Sequence, residues 1–401
     1  MSLETDLEAL FSPPALQNSH PFYARLRAHG DVLVMPQWNS SFVFGLDAVN
    51  ALFKHPDSSA DRLQGLSEEW FGYPLLKPMM LFHDHASHLR LRGLVSQAFT
   101  PRAVAETREF IAGLADELLD EYAVTGGDFV SKVAVPFPML VILQLLGVPS
   151  HEREGFRRWA DTLVALLDGS TFDESQSEHM AKDVTEMRAY FRSLADELRD
   201  SESGGVFAAM ARAEAGGERL SNDELLANAM LLLGAGFETT TNLLAGGLLA
   251  FSQFPDQWQT LLEKRDLIPN AAEELLRFVS PVQGTGRLLR RDVEWQGQTL
   301  RSGSQTMLVL GAANRDPAKF KNAEALDIQR DNASQHVAFA SGAHYCLGAP
   351  LARLEAQVFL ERLALKYPRF RVPEQTITYR NNFSVRGLER LEVVLNDRVT
   401  G

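Results

Sequence analysis

Apolar residues recur at helical spacing from about Pro101 to Lys264, whereas short alternating runs cluster towards both ends of the chain. Asp31 to Met35 and Ser41 to Gly45 predict a hairpin. Asp292 to Trp295, Thr299 to Arg301 and Gln305 to Leu310 predict further strands, punctuated by turns at Gly297 and Gly303. Ile377 to Tyr379 and Leu391 to Leu395 add a strand-rich tail. The pattern predicts a mainly α protein with small β-sheets. One helix stands out. Ser221-Asn222-Asp223-Glu224 has capping-box spacing, and the apolar pattern continues to about Phe251, roughly 30 residues or ~45 Å. Its centre reads Leu231-Leu232-Leu233-Gly234-Ala235-Gly236-Phe237-Glu238-Thr239-Thr240-Thr241-Asn242. The length would suit a membrane span, but Glu238, Asn242, the threonines and the acidic entry oppose one. Gly234-x-Gly236 is a poor dinucleotide loop, because a helix precedes it and Thr239 holds the last glycine position.

Composition adds limits. At 401 residues and 45% hydrophobic, the chain can bury a large core, and no linker, repeat or low-complexity tract divides it. Lys and Arg number 39 against 52 Asp and Glu, a net charge of −13 that opposes nucleic-acid binding and favours solubility. One cysteine excludes an intramolecular disulfide and fits a reducing compartment. The acidic start, Met1-Ser2-Leu3-Glu4, lacks the basic and apolar regions of a signal peptide or membrane anchor, so a cytoplasmic protein is expected.

That single cysteine, Cys346, lies in Phe339-Ala340-Ser341-Gly342-Ala343-His344-Tyr345-Cys346-Leu347-Gly348, just before a helix announced by Pro350. A helix N-terminus stabilises a thiolate, the form that binds metals. Alone, a cysteine also suits a small buried hydrophobe. Without a second cysteine it does not form a Cys-rich zinc or iron–sulfur site, whereas a haem needs only one such ligand. The pattern F-x-x-G-x-H-x-C-x-G, followed by Ala349-Pro350-Leu351-Ala352-Arg353, resembles the cysteine loop of the cytochrome P450 family, with Ala340 where the family usually has glycine.

The resemblance implies one domain over 1–401, with a helix-rich body about 85–280 and 345–368 and β-rich portions about 28–60, 287–311 and 370–398. It implies the cytochrome P450 fold, a long central helix over haem b, and no bound flavin or nicotinamide. Cys346 would be the iron ligand, with Phe339, Gly348 and Ala235 beside the haem. On the central helix the residues alone leave open a packing kink with a hydrogen-bonded Glu238. By the resemblance, Thr239 hydrogen-bonds dioxygen and Glu238 relays protons to it. His88 and Arg92 share a helical face and, with Arg287 and His344, match the family's propionate donors, although such groups alone are ordinary surface residues. His85-Ala86 stand where the family commonly has prolines.

Glu274-Leu275-Leu276-Arg277 suits an exposed i,i+3 pair, but in the family the pair is buried and joined by an arginine, here Arg330. Substrate positions by the same resemblance include Leu231, Gly234, Ala235, Val282, Gln283, Thr285 and Phe383, within a pocket that also draws on the loop from about Leu63 to Phe82. Singly, each reads as core. Together they imply a lipophilic substrate, hydroxylated or epoxidised with dioxygen by a monomer that takes electrons from a separate ferredoxin or flavodoxin. Arg90, Arg102, Arg353, Arg362 and Lys366 are expected to form its basic docking patch. Alternatives are a peroxygenase using hydrogen peroxide, which the Glu238–Thr239 pair argues against, and a non-catalytic haem-binding carrier or recruiting domain.

Overall fold

The longest helix runs Asn222–Gln253 and opens with a reciprocal cap. The Glu224 N–H donates to Ser221 Oγ at 3.2 Å, and the Ser221 N–H donates to the Glu224 carboxylate at 2.8 Å. A computed structural model describes residues 2–64, 66–148, 153–168, 173–198, 205–215 and 217–396. The helices that matter here are α1 (Leu46–Lys54), α2 (His85–Ala98), α3 (Arg153–Asp168), α4 (Glu174–Leu198), α5 (Asn222–Gln253), α6 (Ile268–Val279) and α7 (Ala349–Lys366). The chain divides into two compact units. The first comprises Met1–Ser59, Ile111–Pro136 and Thr239–Gly401; the second comprises Ala60–Phe110 and Phe137–Glu238.

The first unit holds the main sheet. Its strands are β1 (Val32–Met35), β2 (Ser40–Val43), β3 (Ser58–Ser59), β4 (Thr285–Leu289) and β5 (Gln305–Leu308), in the order β1-β2-β5-β4-β3. The hairpin pairs Val32 with Val43, β2 and β5 run parallel, and the other pairings are antiparallel. Val43, Leu289 and Leu308 join Leu46, Val49 and Leu52 of α1 in one buried cluster. Strand β4, Thr285-Gly286-Arg287-Leu288-Leu289, carries no apolar alternation, and only the resemblance, with a β-rich portion from about 287, pointed to it. Its pairing with β5 makes the strand. Conversely, the expected tail strands shrink to isolated bridges, Tyr379 to Leu388 and Glu392 to Asp128, and a strand at Val394–Asn396.

In the second unit, Phe156 of α3 meets Tyr190 and Phe191 of α4 edge-on, and Trp159 lies tilted against Tyr190. Gly234 on α5 allows Leu163 of α3 to lie against the helix backbone, and a Cβ there would stand 2.5 Å from a Leu163 methyl. No described helix is long and apolar enough to cross a membrane.

Candidate functional site

The cysteine loop belongs to the first unit. The Cys346 N–H donates to the Phe339 carbonyl at 2.9 Å, and the Tyr345 N–H donates to the Gly342 carbonyl at 3.1 Å, folding the turn back on itself. Gly342 has φ +73°, and a Cβ on it would stand 2.9 Å from the Phe53 carbonyl oxygen, so the residue must be glycine on both counts. Ala340 adopts φ +59°, a left-handed conformation that glycine accommodates without a Cβ penalty. Gly348 is the N-cap of α7, and helix counting begins at Ala349, which puts Pro350 one position later than the sequence suggests. Its missing N–H still has no intrahelical partner there.

The Cys346 thiol is exposed at this helix start. Among the described residues no group of three His, Cys, Asp or Glu side chains gathers to hold a metal ion. The donor chemistry therefore suits a group bound through one thiolate, not a metal caged by protein ligands.

Arg353 of α7 ties both ends of this loop to α6. Its Nη1 donates to the Tyr345 hydroxyl at 2.9 Å, while Nε and Nη2 fork onto the Glu273 carboxylate at 2.6 and 3.0 Å. The guanidinium also stacks over the Phe339 ring. His336 Nε2 lies 3.2 Å from Glu273. Burial would raise the Glu273 carboxyl, but His336 and Arg353 outweigh it and hold the group down at about 2.

One residue along, Glu274 and Arg277 are fully buried and bonded twice at 2.7 Å. Arg330 Nε reaches both Glu274 oxygens at 3.2 and 3.1 Å. The two arginines spend other donors on backbone carbonyls of the segment before the cysteine loop: Arg277 on Asn314, Ala323 and Ala325, and Arg330 on Lys321.

On α5, Thr239 is half-buried, and its neighbours Thr240 and Thr241 are buried. Thr241 donates to the Ala134 carbonyl at 2.9 Å, and Thr240 donates to Glu355 of α7 at 3.0 Å. Sequence reasoning missed Glu355. Burial pushes its carboxyl up to about 8, against the opposing hydrogen bond from Thr240. The available signal was its phase: Glu355 falls four residues after Leu351 and four before Phe359, on the apolar face of α7.

Arg287 is buried, stacked on Phe53, with Nη1 donating to the Gly286 carbonyl at 2.8 Å. His344 lies on the short turn Gly342–His344. The turn 282–285 lies against 383–385: the Gln283 N–H donates to the Ser384 carbonyl at 2.7 Å, and Gly284 faces Phe383 and Met307. Val282 bridges to Val385, and the Thr285 hydroxyl lies 3.5 Å from Arg287 Nη1. Gln283 is buried, with its amide engaged by the Tyr23 hydroxyl and the Ser280 carbonyl. A separate cavity of about 420 Å³ in this unit is lined by His20, Asn242, Arg315 and Arg386, none of them singled out as a site residue by the sequence.

The second unit carries the remaining residues. His88 is buried and Arg92 half-buried on α2, four residues apart. His85 has φ +47°, a value closed to proline, so this helix entry differs from the proline-bearing one common in the family. On α5, Leu231, Gly234 and Glu238 are buried while Ala235 is exposed, a break in an otherwise buried stretch.

The residues expected to form the basic patch each carry an acidic partner. In the first unit Arg353 is bound to Glu273, Arg362 forks onto Asp116, and Lys366 lies between Asp116 and Asp120. In the second, Arg90 contacts Glu224 and Glu218, and Arg102 pairs with Glu106 across one helical turn. Helical charge patterns alone do not reveal such partners, most of which are distant in sequence.

The cytochrome P450 family model matches residues 256–388. A vitamin D(3) 25-hydroxylase from Pseudonocardia autotrophica is 38% identical, over 98% of this chain and 98% of that enzyme. The biotin biosynthesis cytochrome P450 of Bacillus subtilis is 35% identical, over 94% of this chain and 96% of the relative. Among solved structures, P450BioI in complex with acyl carrier protein ligated to hexadec-9Z-enoic acid superposes with a TM-score of 0.90 at 32% identity, covering 96% of this chain and 99% of that one.

Proposed function

This chain belongs to the cytochrome P450 family and is a monooxygenase, and on that premise we propose that it hydroxylates or epoxidises a lipophilic small molecule with electrons from a separate ferredoxin or flavodoxin. The observation that carries the reading is the exposed Cys346 thiol on a glycine-framed turn at the start of α7. Cys346 would hold the iron of haem b. Phe339 and Gly348 would border the haem at the loop and Ala235 at α5, while His88, Arg92, Arg287 and His344 would bind its propionates. The haem supplies dioxygen activation, with thiolate electron density assisting O–O cleavage.

The proton handling falls to α5. Thr239 would present its hydroxyl to the haem pocket, and Glu238 would relay protons to it. Glu355 accepts a hydrogen bond from Thr240, which fixes the helix turn bearing Thr239. Leu231, Gly234, Ala235, Val282, Gln283, Thr285 and Phe383 would contact substrate, mostly through apolar surface that excludes water. The vitamin D(3) named for one relative and the hexadecenoyl group carried on another's partner support a large lipophile. We place this enzyme in the cytoplasm as a single-domain monomer, on the same footing.

The test is turnover under isotopically labelled dioxygen with a ferredoxin and its reductase, using vitamin D(3) and hexadecenoic acid as trial substrates. One labelled oxygen atom in the product is expected. Product formed only with hydrogen peroxide, and never with dioxygen, would favour the peroxygenase.

A further inference from the structure

Asn228 lies on α5, two turns before Ala235, and is fully buried. A buried side-chain amide is costly unless its groups are bonded. Asn228 bonds three of them: Oδ1 accepts the Met80 N–H at 2.9 Å, and Nδ2 donates to the Pro78 carbonyl at 3.2 Å and to the Glu224 carbonyl at 2.8 Å. Two of these bonds leave the helix for one short segment, which carries the buried side chains of Met79, Met80 and Phe82. The same segment has an outer strut. Arg188 of α4 donates to the Pro74 carbonyl at 3.2 Å and to Asp223, at the start of α5, at 2.8 Å.

Positions 228, 231 and 235 share one helical face. We propose that Asn228 is a positioning residue, a latch that fixes Met80 and Phe82 against the face of α5 bearing Leu231 and Ala235 and so sets which lipophilic substrates are accepted. The proposal rests on the substrate reading above. An unlatched segment leaves the Met80 N–H and Pro78 carbonyl without their partner, so the segment moves outward and admits bulkier ligands. Compact, polycyclic lipophiles gain relative to extended chains.

Two readings on the haem-loaded enzyme test this: hydrogen exchange at the Met80 amide, and spectral titration with vitamin D(3) and hexadecenoic acid. In Asn228→Ala, Met80 exchange should quicken roughly tenfold, the equivalent of one lost buried hydrogen bond. The ratio of the two affinities should shift at least about fivefold towards vitamin D(3). Arg188→Met, which cuts only the outer strut, should leave Met80 exchange within about twofold of wild type. Unchanged exchange, or faster exchange with an unchanged affinity ratio, overturns the latch. If Asn228→Ala does not fold, Asn228→Asp keeps an acceptor for the Met80 N–H. It loses the Nδ2 donor to the Pro78 carbonyl, so half of the latch is cut: Met80 exchange should quicken less than tenfold while the affinity ratio still shifts towards vitamin D(3), and an unchanged ratio overturns the proposal. Wild type binding neither ligand would instead defeat the substrate reading, while the exchange reading still decides whether Asn228 fastens the segment.

Discussion

Thr239, Glu355 and Ala340 show three different relations between a residue and its surroundings. Thr239 was singled out by the family resemblance, since a polar run interrupting an apolar helix also suits a packing kink. Substituting Thr239→Ala should preserve haem loading and substrate binding but divert electrons from product to peroxide, read as product formed per reductant consumed. Glu355 was less legible: its partner Thr240 is far away in sequence, and only its phase on α7 hinted at burial. The folded chain keeps the Glu355 proton up to about 8, whereas the unfolded chain releases it near the ordinary 4.5. Stability from this group is therefore complete below about 4.5 and declines as pH rises towards 8, by at most ~1.4 kcal/mol per pH unit. Glu355→Gln should remove that decline, so denaturant melts at pH 6 and 8 should differ less than in wild type. Ala340 is the departure from the family's glycine, and its left-handed φ shows why glycine is usual. Ala340→Gly relieves ~1–2 kcal/mol of local strain but loosens the unfolded chain by up to ~1 kcal/mol. Its unfolding free energy should therefore be ~0–2 kcal/mol above wild type, with thiolate ligation unchanged.

Among the elements, the capping box of α5 and the helix after the cysteine loop were readable because caps and turns are local. Strand β4 was not, since its pairing depends on β5 and β3 rather than on its own alternation. The struts on α6 were legible through the family resemblance, which implied a buried pair joined by Arg330, and not through spacing alone. An E-x-x-R spacing puts Glu274 and Arg277 on one face, but burial and the bonds from Arg330 are tertiary facts. Removing one member of a buried ion network costs ~3–5 kcal/mol, so Glu274→Ala should yield little haem-loaded protein. Calorimetry and the haem-to-protein absorbance ratio report both effects. The neighbouring Arg353–Glu273 fork changes what charge reversal means. Arg353→Glu would set two carboxylates together and remove the Tyr345 tie, so the expected result is a lower melting temperature and not solely slower reduction by ferredoxin.

At the scale of the whole molecule, helical periodicity, a net charge of −13 and one cysteine constrained the class before any contact was visible. The family resemblance rested on a few short motifs, whereas relatives at 35–38% identity extend it over at least 94% of the chain. What stayed hidden was the web of pairings that absorbs Arg353, Arg362 and Lys366 into internal bridges. The central claim is that Cys346 binds haem iron as a thiolate. The most direct measurement is the absorbance spectrum of the reduced, carbon-monoxide-saturated protein, compared with Cys346→Ala. Wild type should show the strongly red-shifted Soret band of thiolate ligation, and the variant should lack it; a wild-type protein that binds no haem, or shows an unshifted band, would contradict the account.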